Sequence, residues 1–148
     1  AFGHLFTLAD IEDYAGYESE DGKWSLKNIP SFPDKFKFNL KKNDKKEVDP
    51  GVQKQFNIIS NLCNREDVTT IVNAGDADRE GEVIIRLITD NALKTKKDLR
   101  RLWLPDQTNE TINEALKEMK EESEYDNLAN EGFARTYIDW LYGVNLTR

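Results

Sequence analysis

Val68-Thr69-Thr70-Ile71-Val72-Asn73-Ala74-Gly75 runs directly into Asp76-Ala77-Asp78-Arg79-Glu80-Gly81-Glu82, and then into Val83-Ile84-Ile85-Arg86-Leu87-Ile88. The first run is β-branched and nearly all apolar, as a central parallel strand buried on both faces would be. Past Gly81 the apolar period becomes helical. Four carboxylates therefore fall within seven residues at the junction of a strand and a helix. Crowded anions raise one another's pKa unless a cation compensates them. Mg2+ is the natural partner, since it needs only one or two protein carboxylates besides water and phosphate. Asp76 and Asp78 are two apart, so in extended backbone they leave on one face. Glu80 falls where the positive end of the helix favours an anion, and ligands of open α/β sheets bind at the carboxyl ends of strands. A capping Asp accounts for one of these carboxylates but not for the alternate set with Arg79 embedded in it. The pattern points to phosphoryl chemistry.

Outward from this junction, strands and helices alternate, which predicts a parallel α/β layer. Residues 3–9 read as a short strand. Residues 10–50 read as a long loop pinned by Trp24, Leu26, Ile29, Pro30, Phe32, Pro33, Phe36 and Phe38, because disordered segments lack aromatics. Its lysines, Lys35, Lys37, Lys41, Lys42, Lys45 and Lys46, read as a solvated run. Residues 50–65 form a helix with Val52, Phe56, Ile59 and Cys63 on one face. A helix over 80–93 and a strand over 99–104 follow. A helix over 108–121 has Ile112, Leu116 and Met119 inward, and Ser123-Glu124-Tyr125-Asp126 opens a last helix that runs towards Asn145. The basic cluster Lys94, Lys96, Lys97, Arg100 and Arg101 is expected at the sheet edge opposite the acidic turn.

The chain has 148 residues, 38% apolar and 33% charged, enough for one domain with its own core. A net charge of −7 argues against a free-standing nucleic-acid binder, which carries a basic footprint. One cysteine, Cys63, excludes an internal disulfide and a cysteine zinc site. The single histidine, His4, cannot build a histidine metal site and is read as structural. No apolar run reaches membrane-spanning length. The chain starts in mid-pattern without an initiator Met and stops within an amphipathic run, which reads as a piece of a longer protein.

Asp76-Ala77-Asp78-Arg79-Glu80-Gly81-Glu82 resembles the Asp-x-Asp-Arg-Glu-Gly-Glu motif of the Toprim domain in type IA DNA topoisomerases. Gly3-His4-Leu5 is similar to the Gly-His-Leu that precedes it in those enzymes. Arg135-Thr136-Tyr137-Ile138-Asp139-Trp140-Leu141-Tyr142-Gly143-Val144-Asn145-Leu146-Thr147-Arg148 resembles their Arg-x-x-x-Asp-Trp-Leu-x-Gly-x-Asn-Leu-Thr-Arg segment. Trp24, Pro30 and Pro33 in the long loop are most similar to the topoisomerase III branch. The resemblance implies a Rossmann-like parallel sheet flanked by helices, without its first strand and with residues 10–50 inserted. Residues 1–126 would be the Toprim part, and 127–148 a helix leading into the next domain. It further implies an ATP-independent enzyme that breaks and rejoins one DNA strand through a phosphotyrosine. Asp76, Asp78 and Glu80 would be the catalytic, Mg2+-binding triad, and Arg79, Arg135 and Asp139 would lie near bound DNA. Glu82 completes the motif without a metal role implied for it, so Glu82→Gln should be milder than Asp78→Asn. Single-stranded or negatively supercoiled DNA, the remaining domains of the parent and a helicase are the implied partners. The bacterial cytoplasm, at the nucleoid, is the implied location.

Two departures limit the carry-over. The family's Glu-Lys-Pro-Ser-like segment does not occur here, and none of Tyr14, Tyr17, Tyr125, Tyr137 and Tyr142 matches the nucleophilic tyrosine. The chain alone is therefore expected to be inactive. Arg135 and Asp139 are also placed for an i,i+4 ion pair that needs no DNA. Two alternatives stay open on the sequence: another Toprim enzyme, primase or nuclease, and a non-catalytic acidic module that binds a protein.

Overall fold

A computed structural model describes residues 3–18 and 25–147, so Trp24 and Arg148 lie outside the described residues. Strand β1 (Phe6–Leu8) pairs antiparallel with β2 (Phe38–Leu40), Phe6 facing Leu40. Helix α1 (Pro50–Cys63) follows, then β3 (Thr70–Asn73), α2 (Arg79–Ala92) and β4 (Asp98–Arg101). Helix α3 (Asn109–Lys117), β5 (Lys120–Glu121) and the long α4 (Asp126–Leu146) complete the order. β3 and β4 are parallel, with Asn73 opposite Arg101, and α2 is their crossover. β5 adds antiparallel to β4, so the sheet order is β3-β4-β5 and the sheet is mixed. The architecture is α/β and compatible with a Rossmann-like Toprim fold.

Local chemistry explains the helices. Asp49 caps α1, its Oδ1 accepting from the Gly51 and Val52 amides at 2.7 and 3.1 Å, with Pro50 in the first turn. At the far end Asn64 donates to the Ala92 carbonyl at 2.6 Å and accepts from the Lys94 amide at 2.8 Å. That one side chain ties the ends of α1 and α2 together. Val52, Phe56 and Ile59 pack as expected, against a core of Leu5, Phe6, Val83, Leu87 and Ile88. Cys63 is half-buried, and burial pushes its thiol pKa up.

Several expectations are corrected. β3 is not a central strand buried on both faces: among the described residues β4 is its sole ladder partner, and Val72 is 43% exposed. The 10–50 segment is not all loop, since β2 and an antiparallel bridge between Lys42 and Val48 lie within it. Its anchors are fewer than the sequence suggested. Phe36 stacks on Tyr137 at 4.4 Å, whereas Leu26 and Phe32 are 72% and 69% exposed. Lys42 and Lys46 are paired with Asp13 and Glu12 rather than simply solvated. Leu116 of α3 faces outward, and β5 occupies the end of the expected helix.

α4 fastens this segment to the rest. Trp140 donates its indole N–H to the Ala9 carbonyl at 3.1 Å, and Asn145 exchanges two hydrogen bonds with the Ser31 backbone, at 2.7 and 3.0 Å. Trp140 and Asn145 of the family-like segment thus serve packing. No described helix is long and apolar enough to cross a membrane.

Candidate functional site

β3 ends at Asn73, so Asp76 and Asp78 sit on a turn rather than on a strand. The Asp78 amide folds back onto the Asp76 carbonyl at 2.8 Å. Asp78 then caps α2, its Oδ1 accepting from the Gly81 amide at 2.6 Å. Gly81 is obligatory here, because a Cβ on it would collide with the Asp76 backbone. The Asp-Arg-Glu-Gly sequence is therefore a tight junction in which the turn lies on the first turn of α2.

The three carboxylates take different surroundings. Asp76 is exposed, makes no side-chain hydrogen bond or ion pair among the described residues, and lines a cavity of about 390 Å3 with Val72, Gly75, Ile84 and Ile85. Asp78 is exposed and committed through one oxygen to its cap. Glu80 accepts from His4 Nε2 at 2.9 Å. His4, read as structural, is thus at the rim of the acidic turn and half-exposed. Among the described residues no three histidine, cysteine or carboxylate side chains converge as a metal cage. The donor set is all oxygen, and the exposed pair Asp76 and Asp78 fits Mg2+, which fills most of its octahedron with water and phosphate.

A groove of about 180 Å3 opens beside Glu80, lined by His4, Arg79, Glu80, Gly132, Arg135, Thr136 and Asp139. Arg79 donates to Glu131 at 2.6 Å across α2 and α4, and Arg135 Nε donates to Asp139 Oδ2 at 3.3 Å. The i,i+4 pair exists, and both of its side chains remain more than half exposed. Gly132 lets the helices meet at this groove: a Cβ there would lie 2.6 Å from the Arg79 carbonyl oxygen. Two guanidinium groups, each paired with a carboxylate, thus line this groove.

Beneath the turn lies a residue that the sequence reading placed elsewhere. Arg101 is not at the opposite edge; its side chain is fully buried and paired with the fully buried Glu82. Glu82 also accepts from Arg86 at 3.0 Å. Removing its carboxylate would leave a buried guanidinium without its charge partner, a structural cost that the motif alone does not signal. Alternation along β4 puts Arg101 on the same face as Leu99, a signal that the adjacent basic run obscured.

Fold and site together define an α/β layer whose acidic strand-to-helix turn borders an arginine-bearing groove. Over all 148 residues the chain is 38% identical to DNA topoisomerase 3 of Bacillus subtilis (strain 168), 37% to that of Bacillus cereus (strain ATCC 14579) and 38% to that of Bacillus licheniformis (strain ATCC 14580). It spans 19% of the length of each of these relatives. No family model matches it. The chain thus matches a segment of DNA topoisomerase 3, in agreement with the resemblance to a type IA Toprim segment of the topoisomerase III branch.

Proposed function

We propose that the chain supplies the acidic site of a type IA DNA topoisomerase, which breaks and rejoins one DNA strand without ATP. The carrying observation is that three segments distant in sequence meet at one groove: His4; Arg79 and Glu80; and Arg135 with Asp139. These are the segments in which the family resemblance resides, and the similarity to DNA topoisomerase 3 runs through all of them.

In the proposed reaction a tyrosine oxygen from another part of the protein attacks the phosphorus, and the deoxyribose 3′ oxygen leaves as a hydroxyl. Rejoining reverses both bonds, so bond energy is conserved. The demand on this chain is alignment of the cut ends. Asp76 and Asp78 would hold Mg2+, which supplies charge neutralisation beside the phosphate. Arg79 and Arg135 would grip backbone phosphates of single-stranded or underwound DNA, while Glu131 and Asp139 keep the two guanidinium groups oriented. Glu80 and His4 close the rim between turn and groove. The remaining domains, a helicase and a cytoplasmic setting at the nucleoid belong to the same proposal.

The test is a Mg2+ titration of DNA relaxation by the full-length protein. Asp78→Asn keeps the cap, because Asn caps as well as Asp, and removes one charge. Asp76→Asn removes a charge from a carboxylate without other duties. Each should raise the half-saturating Mg2+ concentration about tenfold or more, some 1.4 kcal/mol of binding. Excess Mg2+ should restore part of the activity, and single-strand binding should persist because phosphate contacts elsewhere dominate affinity. Parental Mg2+ dependence in both variants would remove the metal assignment.

A further inference from the structure

We infer that Arg101 is the positioning residue of the acidic turn, its guanidinium holding the backbone from which Asp76 and Asp78 project. The inference rests on the metal-handling role proposed for that turn and goes beyond it in naming what holds the turn.

Arg101 ends β4 opposite Asn73, so its side chain starts beside the last residue of β3. Its Nη1 donates to the carbonyls of Gly75 at 2.8 Å, Leu102 at 3.0 Å and Asn73 at 3.3 Å. Its Nη2 donates to the Asp76 carbonyl at 2.7 Å. Nε is committed to Glu82. One planar fork therefore spans the backbone just where it leaves the sheet ladder. The Asn73 and Asp76 carbonyls also accept from the Leu102 and Asp78 amides, so the fork shares two of these acceptors and adds bonds to the Gly75 and Leu102 carbonyls. The Trp103 ring lies against the guanidinium, 4.9 Å from its carbon, and confines the plane. Glu82, itself held by Arg86, balances the charge.

Lysine cannot take over this arrangement, since an ammonium has three donors on one point and no fork. The geometry thus asks for arginine specifically. A plain structural role asks only for charge balance or apolar filling.

Two variants of the full-length protein separate these roles. In Arg101→Met/Glu82→Leu the buried ion pair is replaced by apolar groups of similar volume, a change that buried pairs commonly tolerate. Arg86 keeps Asp126 and the Glu122 carbonyl as partners. Arg101→Lys keeps a charge against Glu82 and loses the fork. Binding is read directly with Mn2+ as the probe, by electron paramagnetic resonance, alongside thermal unfolding. The expected result is Mn2+ affinity weakened about 10- to 100-fold in a folded variant, the range for lost outer-shell support of metal ligands. A folded variant with parental Mn2+ affinity, in a protein where Asp78→Asn weakens it, overturns the positioning role and leaves the site standing. Parental affinity in Asp78→Asn as well overturns the site reading, and the inference with it. Should the double variant not fold, Arg101→Lys alone gives the decision by the same comparison.

Discussion

Glu122 shows how far a buried network can pull one residue from its ordinary chemistry. It is buried, it accepts from Asn73 Nδ2 at 3.0 Å, and burial pushes its carboxyl pKa up despite that bond and the nearby Arg86. Asp90, beside the same arginine, is raised by burial in the same way. An acid whose pKa is raised on folding binds more protons in the native state through that window. Its stabilising contribution is complete below the unfolded value and is lost as pH rises through the folded one. Glu122→Gln keeps an oxygen for Asn73 and removes the buried charge. Its melting temperature should therefore gain on the parent's as pH rises from about 4 towards 7, where unperturbed glutamate titrates near 4.3. A gap that stays constant over that range would show that Glu122 ionises as an exposed glutamate does. At this scale the sequence was least legible. A buried arginine such as Arg101 looks like its solvated neighbour Arg100, because burial depends on a partner, Glu82, that only folding brings near.

α4 shows how two glycines on one helix have opposite meanings. At Gly132 a Cβ would lie 2.5 Å from Val83 Cγ2, so Gly132→Ala must push α4 off the start of α2 and distort the groove wall. At Gly143 nothing lies within 4 Å of the same atom. Gly132→Ala should destabilise by about 1–3 kcal/mol, as overpacking does. Gly143→Ala should stabilise by about 0.5–1 kcal/mol, as alanine does in a helix interior. Urea midpoints of the two variants decide it, and equal shifts would mean that the helix contact is looser than drawn. Long periodic elements were readable for this reason: the faces of α1 and α2 carry their own signal over many turns. β2 and β5 span three and two residues and are strands through their partners, β1 and β4. No period of two can be read from so few positions. The acidic turn was legible as a strand-to-helix junction but not in its geometry, since its backbone turns back at Asp78 rather than continuing the strand.

At the scale of the molecule, the sheet has, among the described residues, one paired edge and one unpaired one. β5 closes the β4 side with two residues, whereas β3 presents its outer backbone groups without a described neighbour. Val72 on that strand is 43% exposed, and the adjoining cavity is walled by Ile84 and Ile85 of α2. An apolar edge with unpaired N–H and C=O groups is a template for another strand. A net charge of −7 opposes association in general, but the Debye length of about 8 Å at physiological salt leaves a local apolar contact little affected. The 148-residue chain in isolation should therefore self-associate reversibly through β3. Sedimentation velocity across a concentration series should show a sedimentation coefficient that rises with concentration. Val72→Lys places a charge on that edge without entering the core, and should return the chain to a monomer with its thermal unfolding little changed. A parental chain that sediments as a monomer at every concentration would mean that the β3 edge is covered within the chain itself. A Val72→Lys variant that still associates would move the contact to a different face.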